Sequence, residues 1–250
     1  MDKFDKFEKL DRKVEETLHE VETMDRRKFY KNSFAYAAVW ALLLNLLIET
    51  LGRFPTAGIF GGLTFMVHSP LVFLYNALIL YATLVLASLS KRRVFFFTII
   101  SIFWLGIGII NGVILTQRMT PFTVKDLSNL NDGLTIVTNY LSNYEIIGAI
   151  AAGLIAVGLL VLLFIKGPQK RDGVKRKRNL VAVLLVIAFT FLSSSFVIRA
   201  GIVQTFFGNL AYAYRDYGVV YCFVNTWLNT GISKPDGYSK EEILSIFVKK

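Results

Sequence analysis

Five stretches of about 20 predominantly apolar residues each, separated by short charged or polar segments, constrain this chain more than anything else in it. A run of that length matches the thickness of a bilayer's hydrocarbon core, and a soluble domain rarely repeats it. The runs are Phe34 to about Leu51, about Leu71 to Ser88, Val94 to about Leu115, Ile146 to Ile165, and Leu180 to about Val197. Helices satisfy their own backbone polar groups in lipid, so the pattern predicts an all-α, polytopic membrane protein with about five transmembrane helices. A hydrophobic content of 54% and a mean hydropathy of +0.51 agree.

The 250-residue chain divides into three parts. Residues 1–33 are charged, with apolar residues at Phe4, Phe7, Leu10, Val14, Leu18, Val21 and Met24. Steps of three and four predict an amphipathic helix, which lies on the inner leaflet, pairs with another helix or stays solvated. No cleavable signal peptide precedes the first run, so the first helix itself directs insertion. Residues 34–198 form the transmembrane domain, and 199–250 an aromatic-rich segment beyond it.

The net charge of +10 is distributed by topology. The loop after the second run carries three basic residues and the loop after the fourth carries seven, against one and two in the loops between. Basic residues concentrate on the cytoplasmic side, so the N-terminus is expected inside and, with five spans, the C-terminus outside. This accounts for the charge without nucleic acid as a partner.

Several details bear on local structure. The segment Gly52 to Pro70, with Pro55 and His68, has an apolar middle too short to span and reads as a connector or re-entrant piece packed on protein. Gly148, Ala149, Ala151, Ala152, Gly153 and Gly158 give the fourth run a small-residue surface that another helix could approach closely. Beyond the fifth run, Phe206, Phe207, Tyr212, Tyr214, Tyr217, Tyr221, Phe223 and Trp227 predict a belt at the headgroup level. The stretch Gly218 to Leu228 is too short to span, so it lies along the outer surface or packs on the bundle. Lys234-Pro235-Asp236-Gly237 marks a turn, and Ser239 with Glu242 a capping box opening a last helix, which suggests a further outer domain. The lone Cys222 rules out an intrachain disulfide and reads as a small apolar filler.

No nucleophile elbow, phosphate loop or dinucleotide fingerprint is present, and the outer carboxylates lack metal-ligand spacing. No catalytic residue and no metal ligand is therefore assigned. Asn45, Asn76 and Asn111 sit inside runs, where interhelical hydrogen bonding is their expected use. Glu49 and His68 fall near the outer end of the first hairpin, where an ionisable residue either serves a function at membrane depth or reaches the headgroups. Arg118 and Lys125 stand in the outer segment Gln117 to Leu127, where an arginine can hold a lipid phosphate bidentately and a lysine can add a point charge. The alternative is a structured loop with an internal Arg118–Asp126 pair. Thr123 is placed to cap a short helix, with Asp126 at its third position.

Arg118-Met119-Thr120-Pro121-Phe122, followed by Lys125-Asp126-Leu127, resembles the outer loop in the membrane domain of lipoteichoic acid synthase and related phosphoglycerol transferases. Gly208-Asn209-Leu210-Ala211-Tyr212 with Tyr214-Arg215-Asp216-Tyr217-Gly218 is similar to the segment after that family's fifth helix, as is Thr230-Gly231-Ile232-Ser233-Lys234-Pro235 with Tyr238-Ser239. The likeness covers about Lys31 to Lys250. It implies a multi-pass protein of a Gram-positive type cell membrane, cytoplasmic at its N-terminus and extracytoplasmic at its C-terminus. Such a protein anchors an outer transferase of the alkaline phosphatase/sulfatase fold. That outer domain has a threonine nucleophile and a divalent metal, typically manganese, and takes glycerol phosphate from phosphatidylglycerol for cell-wall polymer. None of its motifs occurs here, so the resemblance implies the membrane domain alone, with no cofactor of its own. Arg118, Thr120, Lys125, Asp126, Arg199, Arg215 and Asp216 are the expected contacts with lipid headgroups, phosphatidylglycerol among them, or with the outer domain, carried in cis or met in trans. The alternative is a stand-alone, non-enzymatic subunit that binds a partner, and behind it a small transporter.

Overall fold

A computed structural model of the chain describes residues 33–128, 143–167 and 176–228. The expected N-terminal amphipathic helix, the loop at 129–142, most of the basic loop at 168–175 and the turn and capping box after 228 lie outside these residues.

The described chain is helical throughout. Helix α1 spans Ser33–Ala57, α2 Gly61–His68 and α3 Pro70–Leu84, which tightens into a 3-10 turn at Val85–Leu89. Helix α4 spans Arg93–Gln117, α5 Val124–Ser128, α6 Asn143–Lys166 and α7 Arg176–Arg199. Two short helices follow, α8 Leu210–Tyr217 and α9 Val219–Leu228. Among the described residues four helices are long and apolar enough to cross a membrane: Ser33–Ala57, Pro70–Leu89, Arg93–Gln117 and Lys177–Arg199. The chain is thus a polytopic, all-α membrane protein. The fourth expected span coincides with α6, a helix of 24 residues.

Helix α1 is central, packing on α2, α3, α4 and α9. Its approach to α4 depends on small residues. A Cβ on Gly108 would lie 3.2 Å from the Ile48 backbone, and one on Gly112 would collide with the Leu51 carbonyl. Ala37 and Ala41 are buried on the same seam. Lipid tails are as apolar as leucine, so such close van der Waals packing holds membrane helices together where hydrophobic burial cannot. Trp40 adds a hydrogen bond from Nε1 to Ser101 Oγ (2.7 Å).

The close approach expected of the fourth run is not found at its described small residues. Gly158 has nothing within 4 Å of a built Cβ, and Ala151 is exposed. The small-residue seam lies between α1 and α4 instead, while α6 touches α4 through the Phe95–Phe164 ring pair. Spacing alone marks a helix that can be approached closely; whether another surface fits it is a tertiary matter.

The first helix also outruns its expected end at Leu51. Pro55 falls in its last turn, where the missing amide costs a single helical bond. Gly58 then turns the chain at φ +66°, and α2 folds back on α1 with Gly62 against Leu46 and Thr50. The segment 52–70 is therefore mostly two helices joined by a turn, with Gly61, Gly62 and Phe65 buried and Phe54, Ile59, Phe60 and Val67 exposed.

Candidate functional site

The most constrained chemistry sits where the C-terminal ends of α1 and α4 and the N-terminal half of α3 meet α8 and α9. A helix leaves its last carbonyls and first amides without intrahelical partners, and a buried joint between two helices must satisfy both sets. Here the bundle does so with side chains from two of its spans.

Arg53 serves the carbonyl end. Its Nη2 donates to Tyr214 O (2.9 Å) and its Nη1 to Arg215 O (2.8 Å), both in the last turn of α8. Glu49 serves the amide end: Oε1 accepts from Val219 N (2.7 Å), the first residue of α9. The two side chains are one helical turn apart and joined by Arg53 Nε to Glu49 Oε2 (2.7 Å). A cation against a helix C-terminus and an anion against an N-terminus also match the two helix dipoles. Asn76, from α3, repeats the arrangement: Nδ2 donates to Tyr217 O (2.9 Å), and Oδ1 accepts from Tyr221 N (2.7 Å).

Gly218 makes the joint possible. It takes φ +85°, and a Cβ there would lie 2.8 Å from Glu49 Oε1 and 2.9 Å from Asn76 Nδ2. Only glycine satisfies both the backbone conformation and the close approach. Beyond it, Val219, Val220, Tyr221, Cys222 and Phe223 are buried in the bundle.

A third anchor ties in the loop after α4. Asn111 donates from Nδ2 to Gly52 O (3.0 Å) and accepts from Phe122 N (2.9 Å). Tyr214 Oη donates to Phe122 O, and the Phe122 ring stacks on Phe223 at 5.8 Å. Burial pushes the Tyr214 hydroxyl well above the ordinary phenol range, which keeps it a hydrogen donor. Burial likewise holds the Cys222 thiol neutral, as suits a filler side chain.

Around this junction the loop after α4 closes on itself. Arg118 Nη2 pairs with Asp126 Oδ1 (2.7 Å), and its Nε donates to Thr120 O (3.0 Å). Asp126 Oδ2 accepts from Thr123 N (2.7 Å) and Thr123 Oγ1 (2.9 Å), so the carboxylate at the third position of α5 reaches back to the cap residue. Partial burial alone would raise the Asp126 carboxyl; the bonds from Arg118 and Thr123 outweigh it and hold it below the ordinary aspartate range.

Of the expected site residues, the structure brings Glu49, Asn76 and Asn111 into one polar cluster. Glu49 is fully buried among protein atoms. His68 does not join it: exposed, its Nδ1 lies 2.9 Å from Thr64 O of its own helix. Asn45 bridges α1 to α3 through Phe73 O (3.0 Å), lower in the bundle. Thr120 and Lys125 are exposed after α4, on its connecting loop and on α5, and Arg199 is exposed at the end of α7. Arg215 pairs with Asp216 (2.8 Å) and lies over the Tyr212 ring.

The aromatic belt divides. Phe206, Tyr212 and Trp227 are exposed, whereas Tyr214, Tyr221 and Phe223 are core residues. The division follows the faces of α8 and α9, since the face against the bundle is taken inward and the other left outside.

Three residues escaped the sequence reading: Arg53, Gly218 and Tyr214 as a structural donor. Arg53 left a readable signal, standing four residues after Glu49 in an apolar helix, where i,i+4 pairs meet. Gly218 gave none that separates it from any other glycine.

No protein-family model, curated protein or solved structure matches the chain. The divalent metal that the family resemblance attaches to an outer domain finds no donor set here: among the described residues no three His, Cys, Asp or Glu side chains gather. Glu49, the buried carboxylate of the junction, already has both oxygens engaged. What this arrangement does is positional: it fixes α8, α9 and the loop after α4 against the ends of the long helices.

Proposed function

We propose that this chain is the membrane mount of a phosphoglycerol transferase of the lipoteichoic-acid-synthase type. In this reading it holds a catalytic unit outside the cell, at the leaflet where phosphatidylglycerol lies, and supplies no catalytic residue. The observation that carries the reading is the capped α8–α9 joint. A simple tether needs no fixed geometry after its last span, but a mount that presents an active site to a lipid headgroup does. Holding enzyme and lipid at one surface also raises their effective concentration. Loop charge supports the orientation, with the three-cation turn at Lys91–Arg93 inside and the Arg118 loop, α8 and α9 outside. The outward faces of Phe206, Tyr212 and Trp227 fit the headgroup level of that leaflet.

The test is polyglycerol phosphate synthesis in cells that depend on this protein, read by immunoblot of the polymer. Glu49→Ala should lower polymer several-fold while the protein still inserts, because the mount is loosened rather than lost. Polymer at the wild-type level with α9 demonstrably released would overturn the reading.

A further inference from the structure

At the end of the bundle opposite the junction, the turn between α3 and α4 and the last turns of α6 enclose an open cleft of about 560 Å³. Its floor is apolar, made by Leu86, Leu89, Phe96 and Phe164. Its rim is cationic. Lys91 is exposed, and Arg92 lies with its guanidinium carbon 4.0 Å above the Phe164 ring. The arginine is held there by aromatic stacking, and its Nη1 is buried with no hydrogen-bond partner.

A buried guanidinium nitrogen without an acceptor is costly, and native structures seldom leave one. With no carboxylate among the described lining residues, Lys91 and Arg92 leave the rim positively charged, which suits an anion. The volume falls in the range of ligand sites. Phosphate suits a guanidinium fork with an ammonium beside it. The apolar floor decides between a soluble phosphate and a lipid: Leu86, Phe96 and Phe164 are partly open at the membrane-facing end of apolar helices, where acyl chains lie.

The geometry points to a binding site for one anionic phospholipid, its phosphate on Arg92 and Lys91 and its acyl chains on Phe96 and Phe164. In the orientation proposed above this is the inner leaflet, remote from the leaflet of the transferase substrate. Basic pockets between spans on that side are suited to anionic headgroups. The site then clamps α6, which otherwise touches the bundle lightly, to the α3–α4 turn.

Native mass spectrometry of the detergent-solubilised protein tests this, with equimolar phosphatidylglycerol and phosphatidylcholine added and glycerol 3-phosphate as the free headgroup. We expect phosphatidylglycerol to be retained over phosphatidylcholine by about tenfold. Arg92→Gln should remove most of that preference. Arg178→Gln, an exposed cation flanking the same end, should leave it intact. If Arg92→Gln fails to fold, the exposed Lys91→Gln carries the test, and a reduced preference is again required. Phe164→Ala should lower retention of the lipid without changing any charge. Equal retention of the two lipids, an unchanged preference in the rim variants, an equal loss in Arg178→Gln, or displacement by glycerol 3-phosphate at the lipid's own concentration would each overturn the assignment.

Discussion

Two ion pairs at the junction end of the bundle follow opposite physics. Arg53–Glu49 and Arg118–Asp126 have the same N–O separation of 2.7 Å. In the first, the side chains are 12% and 0% exposed; in the second, 43% and 24%. The exposed pair sits in water and salt, and such pairs contribute about 0–1 kcal/mol. The buried pair has lost its hydration, so its value depends on every remaining lone pair and proton being used. They are used: Glu49 also holds the first amide of α9, and Arg53 also holds two carbonyls of α8. The contrast teaches that the Arg118–Asp126 pair is local to its loop, while the Arg53–Glu49 pair organises the α8–α9 end of the fold.

The comparison can be broken in several places. The largest effect is expected from Glu49→Ala, which leaves a buried guanidinium and a buried amide short of a partner. Removing one member of a buried pair costs about 3–5 kcal/mol. Thermal unfolding in detergent should show it, and a change as small as that of an exposed pair would make the junction unimportant. Glu49→Gln, which keeps an acceptor for Val219, should cost less.

Gly218→Ala comes next. It meets both a positive φ and a side chain 2.8 Å from its new methyl, and a strained backbone of this kind costs about 1–3 kcal/mol. Asn76→Ala should fall in a similar range, since it strands Tyr217 O and Tyr221 N; leaving a buried group unsatisfied costs about 1–3 kcal/mol. The same unfolding assay ranks all three.

The smallest effect is expected from Arg118→Ala, at about 0–1 kcal/mol. Its signature is pH dependence rather than magnitude. The Asp126 carboxyl is held below its unfolded value, so its contribution is fully present above that value, about 3.9. It is lost as pH falls through the depressed folded value. An acid titration followed by NMR of the Thr123 amide should report a low midpoint in the wild type and a higher one in Arg118→Ala. Equal midpoints would separate Asp126 from Arg118.

Much of this fold is legible in the sequence because the bilayer imposes it. Run length alone locates the spans, and their ends differ from expectation by a few residues except at α1, where Pro55 is tolerated in the last turn. The three asparagines are also legible as buried bonding groups, because an amide inside an apolar helix has little alternative. The junction is less so. The side chains that hold the α8–α9 joint lie more than 140 residues from it in sequence, and what they bind is backbone, which carries no sequence signature. Arg53 is read from sequence as loop charge because the positive-inside argument counts cations without asking which are buried. Gly158 and Ala151 show the converse, since composition declares an opportunity for packing but names no partner.

Hydrogen exchange on the peptide spanning α8 and α9, with the protein in lipid nanodiscs, tests the central claim most directly. If Glu49 and Arg53 lock these helices to the bundle, amides from Val219 to Phe223 should be strongly protected. Glu49→Ala should then accelerate their exchange by about tenfold or more while α4 stays protected. Equal protection of α9 in the wild type and the variant would contradict the claim, and the chain would then be a tether without a fixed outer end.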